Sequence, residues 1–300
     1  AEQTWGNGAA AYGGQSATAA DIATNDNAGP GDTWLSISVS GADVNTVNFG
    51  FAYNLITNTS DAGQGSLRQF MENADSIGNA GGTTANASEF RIPLSDPNYN
   101  AGLGAHTISL AGALPVISDD GTIVDGQTQT DNVGSTNAAD FTHPFYGAAK
   151  SVGTGVDGIA GTGDETTLPA YPNPEIEING NDVGSIFAMT ASSGVVRRLA
   201  LYNSTPGEAV LISAGTGNTV EDNYVGLRAD GSDPGAGSRL QHGLEITGGS
   251  GIIRNNIVAY SEAGGSLIAS TATVSGNEFL SNALLSAAGD ALSTESSSGE

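Results

Sequence analysis

The chain of 300 residues contains no cysteine, two methionines, two tryptophans and only eight basic residues. The missing thiols exclude disulfides and thiolate metal sites, so folding is independent of redox state and the compartment is left open. Eight Lys and Arg against 32 Asp and Glu give a net charge of −24. Such a surface repels nucleic acid and anionic membranes and favours cations as partners. No apolar run approaches the roughly 18 residues of a bilayer-spanning helix, so direct membrane insertion is not expected. No signal peptide is read at Ala1, and the chain is expected to be a mature protein or an excised portion.

Aromatic residues make up 6% and charged residues 13%, whereas there are 44 glycines among many Ser, Thr, Asn and Ala. That balance points to a turn-dense, secreted β-protein rather than a cytosolic enzyme. A hydrophobic share of 38% argues against wholesale disorder.

Three segments stack on one another: TVEDNYVG (Thr219–Gly226), IIRNNIVA (Ile252–Ala259) and TVSGNEFL (Thr273–Leu280). Each follows a glycine-bounded apolar strand: GEAVLISAG, HGLEITGG and GGSLIAS. Val196, Val220, Ile253 and Val274 form one column at separations of 24, 33 and 21 residues. The long interval carries an extra loop, residues 226–239. Coils of twenty-odd residues are too short for strand–helix crossovers and too rich in Val, Ile, Gly and Asn for paired helices. The expectation is an all-β fold: a right-handed parallel β-helix, or solenoid, with the apolar column inside. Three residues after the column, Asn223, Asn256 and Asn277 recur. An inward ladder, each amide bonding up and down the stack, is favoured over exposed turn asparagines.

Residues 1–56 are expected to form an N-terminal β segment, a strand pair or partial β-sandwich, from TWLSISVS (Thr33–Ser40) and VNTVNFGFAYNLI (Val44–Ile56). Residues 57–300 form the solenoid, opening with a capping helix over 66–77. Ser66 and Gln69 have capping-box spacing, and Leu67, Phe70, Met71, Ala74 and Ile77 make one apolar face. A long glycine-rich insertion covers 131–173, with Phe141, Phe145, Tyr146 and Tyr171 either an interaction patch or pins onto the flank. The last coil, 289–300, aligns with Gln241–Gly251 and breaks off unfinished, which suggests a fragment or an end completed by another subunit.

The motifs GQGSLRQFM, ISLAGALPVI and TIVDGQTQ resemble the start of right-handed parallel β-helix regions in large bacterial surface and secreted proteins. In that group a helix of the form SGxGSLRQ precedes the first coils. VNTVNFGF resembles the closing strand of the collagen-adhesin B-type sandwich domains that often stand before such regions. The resemblance implies architecture and a surface location, and brings no catalytic motif.

A lyase or hydrolase of this architecture would set carboxylates on neighbouring coils or place a base beside a uronate. Carboxylates such as Asp119, Asp120, Asp125, Glu175, Glu177, Glu221, Asp222 and Glu245 are present, yet no column repeats an acidic pair. Arg198 beside Glu221, or Arg254, is expected to make flank salt bridges, and His242 to replace a turn residue before a strand. Two acidic glycine loops, with Asp157, Asp164 and Glu165 in one and Asp230 and Asp233 in the other, are either solvated turns or calcium sites. Asn58, Asn86 and Asn203 begin N-x-S/T triplets.

No cofactor is required on this reading, with Ca2+ the one candidate ion. The expected function is an extracellular structural or adhesive surface protein, assembled by end-to-end β contacts with itself or with neighbouring domains of a longer chain. A polysaccharide-binding or polysaccharide-cleaving β-helix is the alternative, and a glycan or cell-surface ligand would fit either.

Overall fold

A computed structural model describes residues 2–5, 11–12, 49–78, 85–137, 151–152, 155–159, 162–164, 166–167, 173–262, 264–268, 270–282 and 292–294. The described part is mainly β, with two short helices, α1 (Leu67–Ile77) and α2 (Gln127–Val133), and three sheets of parallel strands. Neither helix is long and apolar enough to cross a membrane.

The first sheet contains Ile123–Asp125, Val195–Arg197, Asn218–Glu221, Ser250–Arg254 and Thr271–Ser275, in that spatial order. The second contains Ala105–Ser109, Ile176–Asn179, Ala200–Tyr202, Tyr224–Val225, Ile257–Ala259 and Glu278–Leu280, with Tyr99–Asn100 added antiparallel at its edge. The third contains Phe187–Met189, Ser204–Ile212, Leu240–Ile246, Gly264–Ile268 and Leu292–Thr294. From Phe187 the chain visits the third, first and second sheets in turn, four times over. Along this stretch each parallel pairing is bridged by strands of the other two sheets, which supply the crossover that parallel neighbours need.

Val124, Val196, Val220, Ile253 and Val274 fall in one register column. The first four are buried in the main core. Val274 departs from the expected interior column at 36% exposure, and its strand is the last of the described sheet. Leu292 shares the register column of Leu244 through Ser266.

The junction between the first and second sheets is a sharp corner. Arg198, Asp222, Asn255 and Gly276 occupy it in left-handed conformation, at φ of 59°, 57°, 56° and 64°. The next residues are Leu199, Asn223, Asn256 and Asn277. Asn223 Oδ1 accepts from the Leu199 N–H at 3.1 Å, Asn256 Oδ1 from the Asn223 N–H at 3.0 Å, and Asn277 Oδ1 from the Asn256 N–H at 2.9 Å. Their amide nitrogens donate to the carbonyls of Val196, Val220 and Ile253 at 3.0, 2.9 and 2.8 Å. Asn223 and Asn256 are fully buried and Asn277 is half-buried. Each amide thus pairs peptide groups that the turn removes from the sheet ladder.

The extra loop is tied down through Arg228. Its Nε and Nη2 donate to fully buried Glu177 at 2.9 and 2.8 Å, and its guanidinium lies 5.0 Å from the Tyr202 ring centroid. The Ala229 N–H and Thr107 Oγ1 complete the shell of Glu177 at 2.7 and 2.8 Å. Burial, then the charge of Glu177, pushes the Tyr202 phenol up to about 12. Leu227 and Ala229 of this loop form a second apolar cluster with Ala105, Ala200, Tyr224 and Ile257, so the second sheet is covered on both faces.

At the N-terminal side of the stack, Ser66 Oγ accepts from the Gln69 N–H at 3.2 Å and starts α1. The reciprocal half of the capping box is absent: the Ser66 N–H bonds Gly63, and the Gln69 side chain turns to Asn73. Leu67, Phe70 and Met71 enter the main core. Ile77 does not, at 47% exposure, since the last turn of α1 runs past the core. Glu2–Trp5 pairs antiparallel with Ala11–Tyr12 and with Phe49–Ala52, while the expected strand Thr33–Ser40 lies outside the described residues.

A second helix was not expected. TIVDGQTQ forms a strand only over Ile123–Asp125, and α2 begins at Gln127. The cause is tertiary. Thr128 Oγ1 accepts from the Phe90 N–H at 2.9 Å, Asn132 Nδ2 donates to the Phe90 carbonyl at 3.0 Å, and buried Gln129 bonds both peptide groups of Ile92 at 2.8 Å. Polar helix side chains stand in for a neighbouring strand.

Two substitutions test these contacts. Asn256→Ala orphans the Asn223 N–H and the Val220 carbonyl in the interior, and should lower stability by on the order of 3 kcal/mol in urea unfolding; a change below about 0.5 kcal/mol would contradict the ladder's role. Arg228→Ala leaves Glu177 buried without its cation and should cost about 3–5 kcal/mol, largely recovered in the Glu177→Gln/Arg228→Met double variant.

Candidate functional site

The described carboxylates of the acidic loops are engaged in local hydrogen bonds. Asp164 accepts from the N–H groups of Val156 and Asp157 at 2.9 and 3.2 Å and from Thr162 Oγ1 at 2.9 Å. The Thr162 hydroxyl is the main cause holding its carboxyl below the usual range. Asp157 closes its own turn onto the Ile159 N–H at 2.8 Å, and Glu165 lies outside the described residues. Asp230 accepts from Ser232, and Asp233 accepts from the Gly235 N–H at 2.8 Å and pairs with Arg239 at 2.7 Å. Among the described residues neither loop brings three ligating side chains together. Phe141, Phe145, Tyr146 and Tyr171 also lie outside the described residues. Asn58, Asn86 and Asn203 are 7%, 1% and 8% exposed, which removes them as surface glycan acceptors in the folded chain.

The first sheet carries a column of alternating charge. Arg197 bonds Asp125 at 2.7 Å and Glu221 at 3.3 Å, and Arg254 bonds Glu221 at 2.6 Å. Register makes this column: Asp125, Arg197, Glu221 and Arg254 are successive partners. Arg198, expected near Glu221 or Arg254, instead meets Asp222 at 3.4 Å along the left-handed corner. These neighbours attract where an acidic column would repel, and no hydrolytic pair arises there.

Beside α2, a cleft of ≈ 170 Å³ is lined by Gln127, Thr130, Ser135, Glu175 and Arg198 among others. Glu175 is buried, accepts from the Thr136 N–H at 2.5 Å, and has its carboxyl pushed up chiefly by that burial. So small a space does not hold a drug-sized or polymeric ligand.

The strongest constellation lies on the third sheet. Val210, Ile212, Leu244 and Ile246 point into the core, leaving Leu211 and Glu245 half-exposed on the opposite face. Glu208 and His242 are register partners on the same two strands. Strict alternation would turn both toward the core, yet both are half-exposed, while Ala209 and Gly243 are buried. The register shifts between Ser204 and Glu208, where four steps of one strand oppose two of the next, from Leu240 to His242. Such an irregularity re-aims side chains. One ligand atom each from Glu208, His242 and Glu245 lie within 4.8 Å of one another. Ser185 Oγ donates to Glu208 Oε2 at 2.7 Å, and Glu208 Oε1 is 3.7 Å from His242 Nδ1. Burial, then hydrogen bonding and repulsion from Glu208, pushes the Glu245 carboxyl up to about 7.

Only Glu245 of this trio stood among the carboxylates noted in the sequence. His242 was expected in a turn and sits within the strand Leu240–Ile246, and Glu208 was not singled out. The alignment of GEAVLISAG with HGLEITGG held the signal, because it places Glu208 opposite His242. Chemically, the trio can share a proton between two carboxyl groups or hold a cation.

The raised Glu245 value sets a pH dependence. Between its ordinary value of 4.5 and about 7, the folded chain keeps a proton that the unfolded chain has released. Stability should therefore fall as pH rises through that window, relative to a Glu245→Gln variant. Urea midpoints of both proteins measured across the window check this, and parallel profiles would refute it. No protein-family model and no solved structure matches the chain.

Proposed function

We propose that the three sheets wind as a right-handed parallel β-helix, and that the protein is an extracellular structural or adhesive module of a cell-surface fibre or filament. One observation carries the reading: parallel register runs through repeated visits to three sheets, with a polar ladder at the corner and a charge ladder on the first sheet. Stability in such a stack accumulates from neighbour to neighbour, so length can grow without a new core. That suits a mechanical role better than a single deep site. A net charge of −24 keeps such an object soluble and selects cationic partners. The resemblance of GQGSLRQFM and its neighbours to β-helix regions of bacterial surface proteins supports the same assignment. Parallel strand edges would then serve self-association or contact with neighbouring domains.

The glycan-cleaving alternative draws its support from Glu208 and Glu245 on adjacent strands. Its weakness is distance. Retaining glycosidases hold their carboxyl groups about 5–5.5 Å apart and inverting ones about 6.5–9.5 Å. Here one ligand atom of each carboxyl group lies within 4.8 Å of the other.

Electron microscopy of native protein tests the assignment. Regular fibres, with a strand spacing of about 4.8 Å along the axis in fibre diffraction, are expected. A monodisperse protein that releases sugars from an acidic polysaccharide would overturn it.

A further inference from the structure

All seven arginines are committed to ion pairs: Arg68 with Asp61, Arg91 with Glu89, Arg197 with Asp125 and Glu221, Arg198 with Asp222, Arg228 with Glu177, Arg239 with Asp233, and Arg254 with Glu221. None of them reaches Glu208 or Glu245. Among the described residues the two carboxyl groups therefore meet the His242 imidazole and the Ser185 hydroxyl, with no arginine beside them. His242 Nδ1 is shielded from solvent and has no hydrogen-bond partner among the described residues, since 3.7 Å to Glu208 is too long for one.

We propose that Glu208, His242 and Glu245 form a binding site for a divalent transition-metal ion, best suited to Zn2+, on the face of the third sheet opposite the main core. One nitrogen and two carboxylate oxygens, converging within 4.8 Å, make a three-ligand set with a fourth position for water. Ca2+ is a poor match, because it takes six to eight oxygens. The set is fixed before any ion arrives. Parallel register holds Glu208 against His242, and the shift beside Glu208 turns it toward Glu245. The Ser185 hydroxyl engages Glu208 Oε2 and leaves Oε1 facing the imidazole, the outer-sphere contact a ligating carboxylate needs. An ion entering this set would turn the repulsion between two converging carboxylates into joint attraction to one charge.

This assignment is independent of fibre assembly, and its test is binding rather than microscopy. Isothermal titration calorimetry of the full chain without a histidine tag should give one Zn2+ per chain, with Ca2+ failing to compete at a large excess. Glu208→Gln and His242→Ala should each weaken Zn2+ by about tenfold or more, with an unchanged far-ultraviolet circular dichroism spectrum. Co2+ substituted for Zn2+ should show visible absorption that changes in His242→Ala. Absence of stoichiometric Zn2+ binding, or binding unaltered in a folded His242→Ala, would overturn the proposal. If that variant does not fold, acylation of His242 in the native sequence, read by mass spectrometry, decides: Zn2+ should slow it, and an unchanged rate refutes the site.

Discussion

The buried amide of an asparagine at a left-handed corner is the constraint on which this stack depends. A residue at positive φ rotates its peptide units out of the sheet ladder, and a peptide group left unpaired in the interior costs about 1–3 kcal/mol. Asn223 and Asn256 each serve two backbone groups from fully buried positions. With the corner satisfied, consecutive strands can leave one sheet and enter the next at fixed angle and register. The valine column, the charge column and the Glu208–His242 pairing all follow from that register.

Electrostatics then works by scarcity. A chain with 32 acidic and eight basic residues cannot neutralise every carboxylate, so the placing of each arginine matters. Three of the seven, Arg197, Arg228 and Arg254, sit on buried carboxylates. Glu177 receives a two-point guanidinium contact, and Glu221 lies between two arginines. Glu208 and Glu245 receive none, and burial, then the neighbouring Glu208, pushes the Glu245 carboxyl up.

Strand positions, the valine and asparagine columns and the first helix were legible because each rests on local periodicity. Register itself was readable from the repeat: the alignment that places Asn223 over Asn256 is the one their hydrogen bonds follow. The site was not. Glu208 and His242 each occupy a strand position that alternation assigns to the core, and a shift between two strands re-aims them, which depends on pairing rather than on either segment alone. The sequence of α2 lacks an apolar face for the same reason. Its helix is specified by Thr128, Gln129 and Asn132 meeting the peptide groups of Phe90 and Ile92, some forty residues upstream.

That last arrangement bears on how such a chain tolerates change. Because α2 satisfies the peptide groups of Phe90 and Ile92 with its own side chains, the polypeptide beyond Val133 owes no strand to that edge. Segments of different length can be spliced in after α2 without shifting any residue above or below out of alignment. The long glycine-rich stretch follows α2 in the chain, after that edge has been closed.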